Sequence, residues 1–486
     1  MLLSRPIATV AVAPLIVLCA VACGNDGEGK IPITTSSPEA LELYLQGRQL
    51  SDRLHYTDAR SYFEKAVAKD ADFALAYLGM ATTSAISNEF FAALDRAVDL
   101  SDKVTDGERH TILAFLAGVS GDPLQQDEHL SWLVEHYPGD ERVMNLRGNY
   151  HFGRQEYDEA AEFYEQATRI NPQFSQPYNQ LGYVYRYQRR FEQAEEAFRK
   201  YIDLIPDEPN PFDSYAELLM KLGRFEESIE TYQKALALDS HFVPSYIGIG
   251  HNYLLLNRAG EARAWFRRLS EVARGSQERR QSHLWTAASY LHEEDYREAL
   301  KEVEEMYSIA EQDRNVAAMS TDLARMGHIL LEADAPEGAL ARFRESLEIV
   351  EASEVPLQVK EYRERATLYY EARAALAQGL VEIAEHKTRM FAARVEAHQI
   401  PSEIRDLHEL KGRIALYREN YQWALEEFAQ ANQEDPSVLY LTALAYRGQG
   451  DDSRARDYGE RAAKFNGIDF NYAFVRERAQ RMLSDG

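Results

Sequence analysis

The sequence predicts an all-α solenoid of about 12 stacked helix hairpins with a capping helix at its C-terminal end. Three observations predict it. Small residues recur at a 34-residue step, as Gly148, Gly182, Ala216 and Gly250. Each is followed twelve residues on by a second small residue (Ala160, Ala194, Ser228, Ala262) and four further on by a ring (Tyr164, Phe198, Tyr232, Phe266). The chain then ends in the amphipathic stretch "DFNYAFVRERAQRMLSD". Small residues belong where two helices cross closely. A ring three or four residues along fills the hole between one unit and the next. One hairpin cannot bury its apolar face alone, so neighbours must stack.

These four coinciding spacings resemble the tetratricopeptide repeat family, whose unit is a 34-residue helix–turn–helix. An aromatic precedes the second helix at Tyr157, Phe191 and Phe225, and Pro172 and Pro206 close two units. The resemblance implies a right-handed superhelical solenoid.

In chain order, residues 1–22 read as an export signal. Arg5 precedes an apolar run from Ile7 to Val21, about 15 residues, where a membrane span needs about 20. Its end, Ala20-Val21-Ala22-Cys23, resembles a bacterial lipobox. That implies cleavage before Cys23 and a lipid on this cysteine, which would attach the protein to a membrane. Ala20-Val21-Ala22 also fits an ordinary signal peptidase, which would leave Cys23 bare, and both fates stay open. Residues 23–37 contain "GNDGEGKIPITTSS", Gly-, Ser- and Thr-rich, which predicts a flexible tether spanning roughly 20 Å.

The regular array is expected over 38–274. Gly47, Ala59, Phe63 and Ala66 open it. Met80 to Leu100 form a degenerate second unit, and Ala114, Leu130, Leu133 and Pro138 a third. Units lengthen to roughly 37–45 residues over 275–402, through Ala287, Ala299 and Val303, then Gly327, Ala339 and Phe343, then Ala372, Ala384 and Phe391. The seam falls in "EVARGSQERRQ" (271–281), where a bend in one superhelix and a boundary between two domains are both open. Two closer matches fill 403–466, with Gly412, Ala424 and Phe428, then Ala443, Ala455 and Ala462. Residues 467–486 are expected to cap the exposed face of the final unit.

Composition narrows the function. The hydrophobic fraction is 45%, the charged fraction 27% and the formal charge −25. An acidic surface repels phosphate backbones, so nucleic acid is a poor partner. The two cysteines, Cys19 and Cys23, leave the rest of the chain without disulfides, thiol nucleophiles or thiolate metal sites. Among 13 histidines none stands one helical turn from a second with a glutamate between, so no metal ligand set is expected, and nothing calls for a cofactor. Phosphate-binding glycine loops and a glycine-flanked serine of the hydrolase type are missing too. A solenoid also offers no enclosed pocket in which to shift a pKa or exclude water. The chain reads as a non-enzyme.

In the tetratricopeptide family the first helix of each unit lines the concave face. The resemblance therefore places Asn145, Asn149, Asn179, Tyr183, Arg186, Tyr187, Asp213, Glu217, Lys221 and His251 there as partner-binding residues. Asn145 and Asn179 would stack as a ladder able to pair with the backbone of an extended peptide, and Tyr183 and Tyr187 would add rigid contact area. The alternative is a merely solvated polar face. In "RYQRRF", Arg189 and Arg190 are expected in a turn, paired with Glu192, Glu195 or Glu196. The groove lacks the paired cations of carboxylate-clamping arrays.

The leading reading is a lipid-anchored scaffold of the bacterial cell envelope that binds proteins or extended peptide segments through its concave face. Gly24 after the cysteine, in place of an aspartate, favours the outer membrane facing the periplasm. A carbohydrate-capturing surface lipoprotein is the alternative, although the turns are short and tryptophans number four. An enzyme with an unseen site comes third.

Overall fold

The recurring glycine and ring meet one another. In a computed structural model, a Cβ added to Gly148, Gly182, Gly327 or Gly412 would press into the ring of Tyr164, Phe198, Phe343 or Phe428, sixteen residues on in the same hairpin. Tyr164 and Phe198 are wholly buried. Some rings also reach the next unit, as Phe63 does at Gly79. The ring is thus a wedge between the two helices of its own hairpin as well as a filler between units. Ser228 replaces alanine at the crossing and compensates by donating to the Ala216 carbonyl (2.7 Å).

The structure describes residues 29–84 and 86–484. The signal segment 1–22 and Cys23 lie outside the described residues. The first six hairpins pair α1 (Pro38–Asp52) with α2 (Tyr56–Lys69), α3 (Ala74–Thr82) with α4 (Ser87–Asp99), α5 (Asp106–Ser120) with α6 (Pro123–His136), α7 (Glu141–Gly153) with α8 (Tyr157–Ile170), α9 (Gln176–Tyr187) with α10 (Phe191–Leu204), and α11 (Pro209–Lys221) with α12 (Phe225–Leu238). The next six pair α13 (Val243–Leu255) with α14 (Ala259–Val272), α15 (Ser276–Leu291) with α16 (Tyr296–Gln312), α17 (Val316–Glu332) with α18 (Pro336–Glu351), α19 (Leu357–Ala377) with α20 (Val381–His398), α21 (Pro401–Tyr417) with α22 (Tyr421–Phe428), and α23 (Pro436–Gln449) with α24 (Asp452–Ala463). A last helix, α25 (Tyr472–Ser484), ends the described chain. No strand occurs among the described residues.

Each helix packs on its neighbours in sequence, so the core is a row of small clusters. From α15 to α21 the helices run 16 to 21 residues. Packing continues across the 271–281 seam, where Ser282 donates to the Phe266 carbonyl (2.6 Å) and Trp285 packs against Leu254 and Phe266.

Outside the α3–α4 hairpin, the turns inside hairpins share one geometry. Leu54, Gln155, Arg189, Asn257, Glu294, Asp334 and Glu419 take φ of 55° to 66°, and Gly121, Gly223, Gly379 and Gly450 hold the same place elsewhere. The next amide then reaches back over the helix end, as from Arg190 to the Tyr185 carbonyl (2.8 Å).

Two expectations need correction. Residues 30–37 are not free tether. The Ile31 amide donates to Asp140 (3.0 Å), the Thr34 amide to Glu108 (2.7 Å) and the Thr35 hydroxyl to Asp70 (2.6 Å). Ile31 and Ile33 alternate with these polar contacts and pack on the core, as an extended segment with period two allows. Nor is α25 only a cap. It packs on α23 and α24, but Phe474 and Ala473 also join the core of α15 to α17.

The reason is that the superhelix meets itself. Gly121 lies against Ile400, Gln155 donates to Asn432 (2.8 Å), and Lys221 donates to the Phe465 carbonyl (2.8 Å). Arg476 reaches the Leu255 carbonyl (2.8 Å), Arg478 reaches Glu332 (2.7 Å) and Arg481 pairs with Glu294. From Gly121 and Ile400 through Gln155 and Asn432 to Lys221 and Phe465, the contacts advance together along both arms, and beyond them α25 lies across the C-terminal ends of α13, α15 and α17.

Candidate functional site

Two clefts open where the arms meet. The first, of about 580 Å³, is bounded by inner residues of α3, α5, α6 and α7 and closed on one side by Ile400 and Pro401. Its wall is mainly apolar, including Leu78, Phe115, Val119, Leu130 and Leu146. Asn149, Tyr150 and Arg154 supply polar groups. Gly118 and Gly121 keep the α5 side shallow, since a side chain there would strike Gln126 or Ile400.

The second cleft, of about 420 Å³, lies between α9 and α11 on one side and α24 with its following loop on the other. Arg186, Arg189, Lys221, Glu434, Arg461 and Lys464 face it. Burial, and next the Arg186 charge, push the Lys221 ammonium down to about 8, and it sits over the Phe465 ring at 3.9 Å. Burial pushes the Glu434 carboxyl up, against the pull of Lys221, Arg186, Arg461 and Arg189. Lys221 and Arg189 stand here without a carboxylate ion-pair partner among the described residues.

The predicted partner-binding residues divide. Asn149 lines the first cleft, accepting from the Tyr164 hydroxyl (2.8 Å). Arg186, Tyr187 and Lys221 line the second. The remainder are drawn into the array itself. Tyr183 donates to Glu217 (3.0 Å), Arg186 also donates to Glu217, and its guanidinium lies 4.8 Å from the Tyr183 ring and 4.9 Å from that of Tyr187. Tyr187 stacks on Tyr157 (5.1 Å, 12°).

Asp213 is buried, accepts from Ser245 (2.7 Å) and is pushed up to about 7, chiefly by burial. His251 is buried edge-on against Trp285 (4.6 Å) and pushed down to about 3 by burial, then by His292. The Oδ1 atoms of Asn145 and Asn179 are sheltered from solvent and lack a donor. They do not present the open ladder that the spacing suggested, because stacking neighbouring first helices covers these positions. Arg189 does sit in the turn, but Arg190 bonds Gln193 (2.5 Å) and Gln188 (3.1 Å) and not the expected glutamates.

The expectation that a solenoid cannot perturb a pKa is also overturned. Asp406 and Asp435 are pushed up to about 7, by burial first and then by Glu409. Packing around these carboxyls removes the water that an open solenoid surface would keep. Ile400, Pro401, Glu434 and Phe465 are cleft residues that the periodicity did not mark. Their one sequence signal is that Ile400, Glu434 and Phe465 sit in interhelical loops and Pro401 opens a helix. Each tryptophan is engaged by neighbours: Trp132 is stacked by two histidines, Trp265 lies between Tyr246 and Arg268, Trp285 packs against His251, and the exposed Trp423 bonds Glu427 (2.9 Å).

Comparison with known families fits this architecture. Tetratricopeptide repeat models match residues 141–174, 213–242 and 409–467. An Est1 DNA/RNA binding domain model matches 160–198, a stretch from α8 to α10. No curated protein matches the chain. Among solved structures, the APC/C hetero-tetramer Cut9–Hcn1 is similar at 13% identity, over 90% of this chain and 78% of that one, with a TM-score of 0.39. YrrB, a TPR protein with an unusual peptide-binding site, is similar at 18% identity, over 37% of this chain and 91% of that one, with a TM-score of 0.26. The chain is an all-α helical-repeat scaffold, and the matched segments are tetratricopeptide repeats.

Proposed function

We propose that the protein is a lipid-anchored adaptor of the bacterial cell envelope that gathers other proteins along its inner clefts and performs no chemistry itself. The observation that carries the reading is the first cleft, an apolar recess of about 580 Å³ with a few convergent polar groups. That is the composition of a site that anchors apolar side chains and orients them by hydrogen bonds. A partner segment seated there in extended form would meet Asn149 and Arg154 with its backbone, and could continue toward the cations of the second cleft.

The envelope part of the reading rests on Cys23 and the apolar run before it. Among the described residues no helix is long and apolar enough to cross a membrane, so attachment would come through the lipid. With residues 30–37 held against the array, the stretch from Cys23 to Lys30 sets its reach. An outer-membrane position facing the periplasm is the one we favour.

A photo-crosslinking residue placed at Phe115 in intact cells tests the adaptor reading. We expect one or a few discrete crosslinked proteins, none of them obtained from the same probe at Arg199 on the outer surface. An empty Phe115 lane, or the same products from both positions, would overturn it. Fatty-acid labelling that survives Cys23→Ala would remove the anchor.

A further inference from the structure

The hairpin of α5 and α6 brings together two side chains that the sequence keeps nineteen residues apart. His110 Nδ1 and His129 Nδ1 stand 3.1 Å from each other, their rings edge to face at 5.0 Å. The same step occurs in two other hairpins with a different outcome. His283 meets Glu302 at 2.7 Å between α15 and α16, and His408 meets Glu427 at 2.7 Å between α21 and α22. At those places a carboxylate accepts the imidazole proton. Between α5 and α6 the carboxylate is replaced by a second imidazole, and two nitrogens confront one another.

We propose that His110 and His129 form a two-imidazole site for a divalent transition-metal ion of the zinc, nickel and copper(II) group, with water completing the coordination. A hydrogen bond between the rings needs one Nδ1 protonated and the other bare. A metal needs both bare, and both rings then carry their proton on Nε2. Two nitrogens bound to one ion at about 2.0–2.1 Å lie about 2.9 Å apart at a right angle and about 3.4 Å apart at the tetrahedral angle. The observed spacing falls between the two.

The surroundings suit the role. Trp132 stacks on His110 (3.9 Å, 8°) and His136 stacks on the other face of Trp132 (3.9 Å, 13°), which holds one ligand ring in place. Asp106 on the same turn of α5 favours a cation, while Arg109 and His136 oppose it. No group of three or more ligands is present among the described residues, so water must fill the remaining positions.

The full-length protein titrated with copper(II) chloride or zinc chloride tests this. Copper(II) should quench Trp132 saturably at one equivalent, and calorimetry with zinc should give the same stoichiometry. His110→Ala and His129→Gln should each weaken binding at least ~10-fold. The glutamine keeps a hydrogen-bonding partner for His110, so its result counts even if alanine loosens the hairpin. Trp132→Phe should retain zinc binding and lose the quench, and His283→Ala should change neither. Absence of binding by the parent, or equal binding by His129→Gln and the parent, would reduce the pair to a hydrogen bond and overturn the proposal.

Discussion

At the scale of single residues, the close approach of helices explains why small side chains recur. A Cβ on Gly182 would come within 2.5 Å of the fully buried Phe198 ring. The ring has no free end to swing aside, so Gly182→Ala overpacks the crossing. Overpacking costs about 1–3 kcal/mol, and the helix gain from alanine returns about 1. Net destabilisation is therefore expected, seen as a lower urea midpoint. Gly260, in the first turn of α14, has nothing near an added Cβ, so Gly260→Ala should stabilise by about 0.5–1 kcal/mol. Equal effects from the two would mean that helix propensity, and not the ring contact, governs these sites. Asp213 gives a pH-dependent case. Its folded pKa is raised to about 7 by burial, so the folded state favours the protonated form and loses stability as pH rises from the unfolded value through 7. Asp213→Asn should match the parent only below about pH 4, the ordinary carboxylate range, and melt increasingly higher than the parent as pH rises toward 8. A gap that does not widen with pH would show that Asp213 ionises freely in the fold.

At the scale of elements, legibility followed period. Hairpins from α7 to α14 and from α21 to α24 stood out because glycine, alanine and ring repeat at fixed steps along one helix face. The turns did not, since seven of the left-handed turn positions carry residues such as Arg189, Glu294 and Glu419 in place of glycine. The role of α25 was half visible. Its amphipathic pattern announced a helix that covers something, but Arg476 reads as a solvated cation and is in fact buried. It donates to the Leu254 carbonyl (3.2 Å), the Leu255 carbonyl (2.8 Å) and Asn257 Oδ1 (2.8 Å), all at the C-terminal end of α13. A cation there also answers the partial negative charge of the helix end. Arg476→Ala would leave buried acceptors unpartnered and a cavity behind, a loss of about 2–4 kcal/mol. Amide exchange over 468–484 should accelerate strongly in this variant and hardly at all in Arg481→Ala, whose ion pair is exposed. Similar exchange in both would mean that α25 is held by its contacts with α23 and α24 alone.

At the scale of the molecule, the decisive contacts join residues hundreds of positions apart, and no local period can announce them. Lys221 was legible as an inner-face cation, but its partner Phe465 lies 244 residues away. The same closure sets His292 edge-on to Tyr472 (6.1 Å), where burial and then the Arg476 charge push it down to about 3. It should also change how the chain unfolds. A solenoid held by nearest neighbours alone can lose one end while the other persists. Here the arms are tied through Gln155 and Asn432, through Lys221 and Phe465, and through Arg476 and α13. Unfolding at one end must strip partners from the other, so the array gains cooperativity beyond that of its stacked hairpins. Trp132 reports on the first arm and Trp423 on the last. Single-tryptophan proteins retaining one or the other should therefore unfold at the same urea concentration. Combining Gln155→Ala, Lys221→Ala and Arg476→Ala leaves every hairpin interface within each arm in place. That variant should split the two midpoints, with the Trp423 transition falling first, because α25 would lose its seat on α13. If the midpoints already differ in the parent, or still coincide in the triple variant, the cross-arm contacts do not couple the ends and each arm is stable by stacking alone.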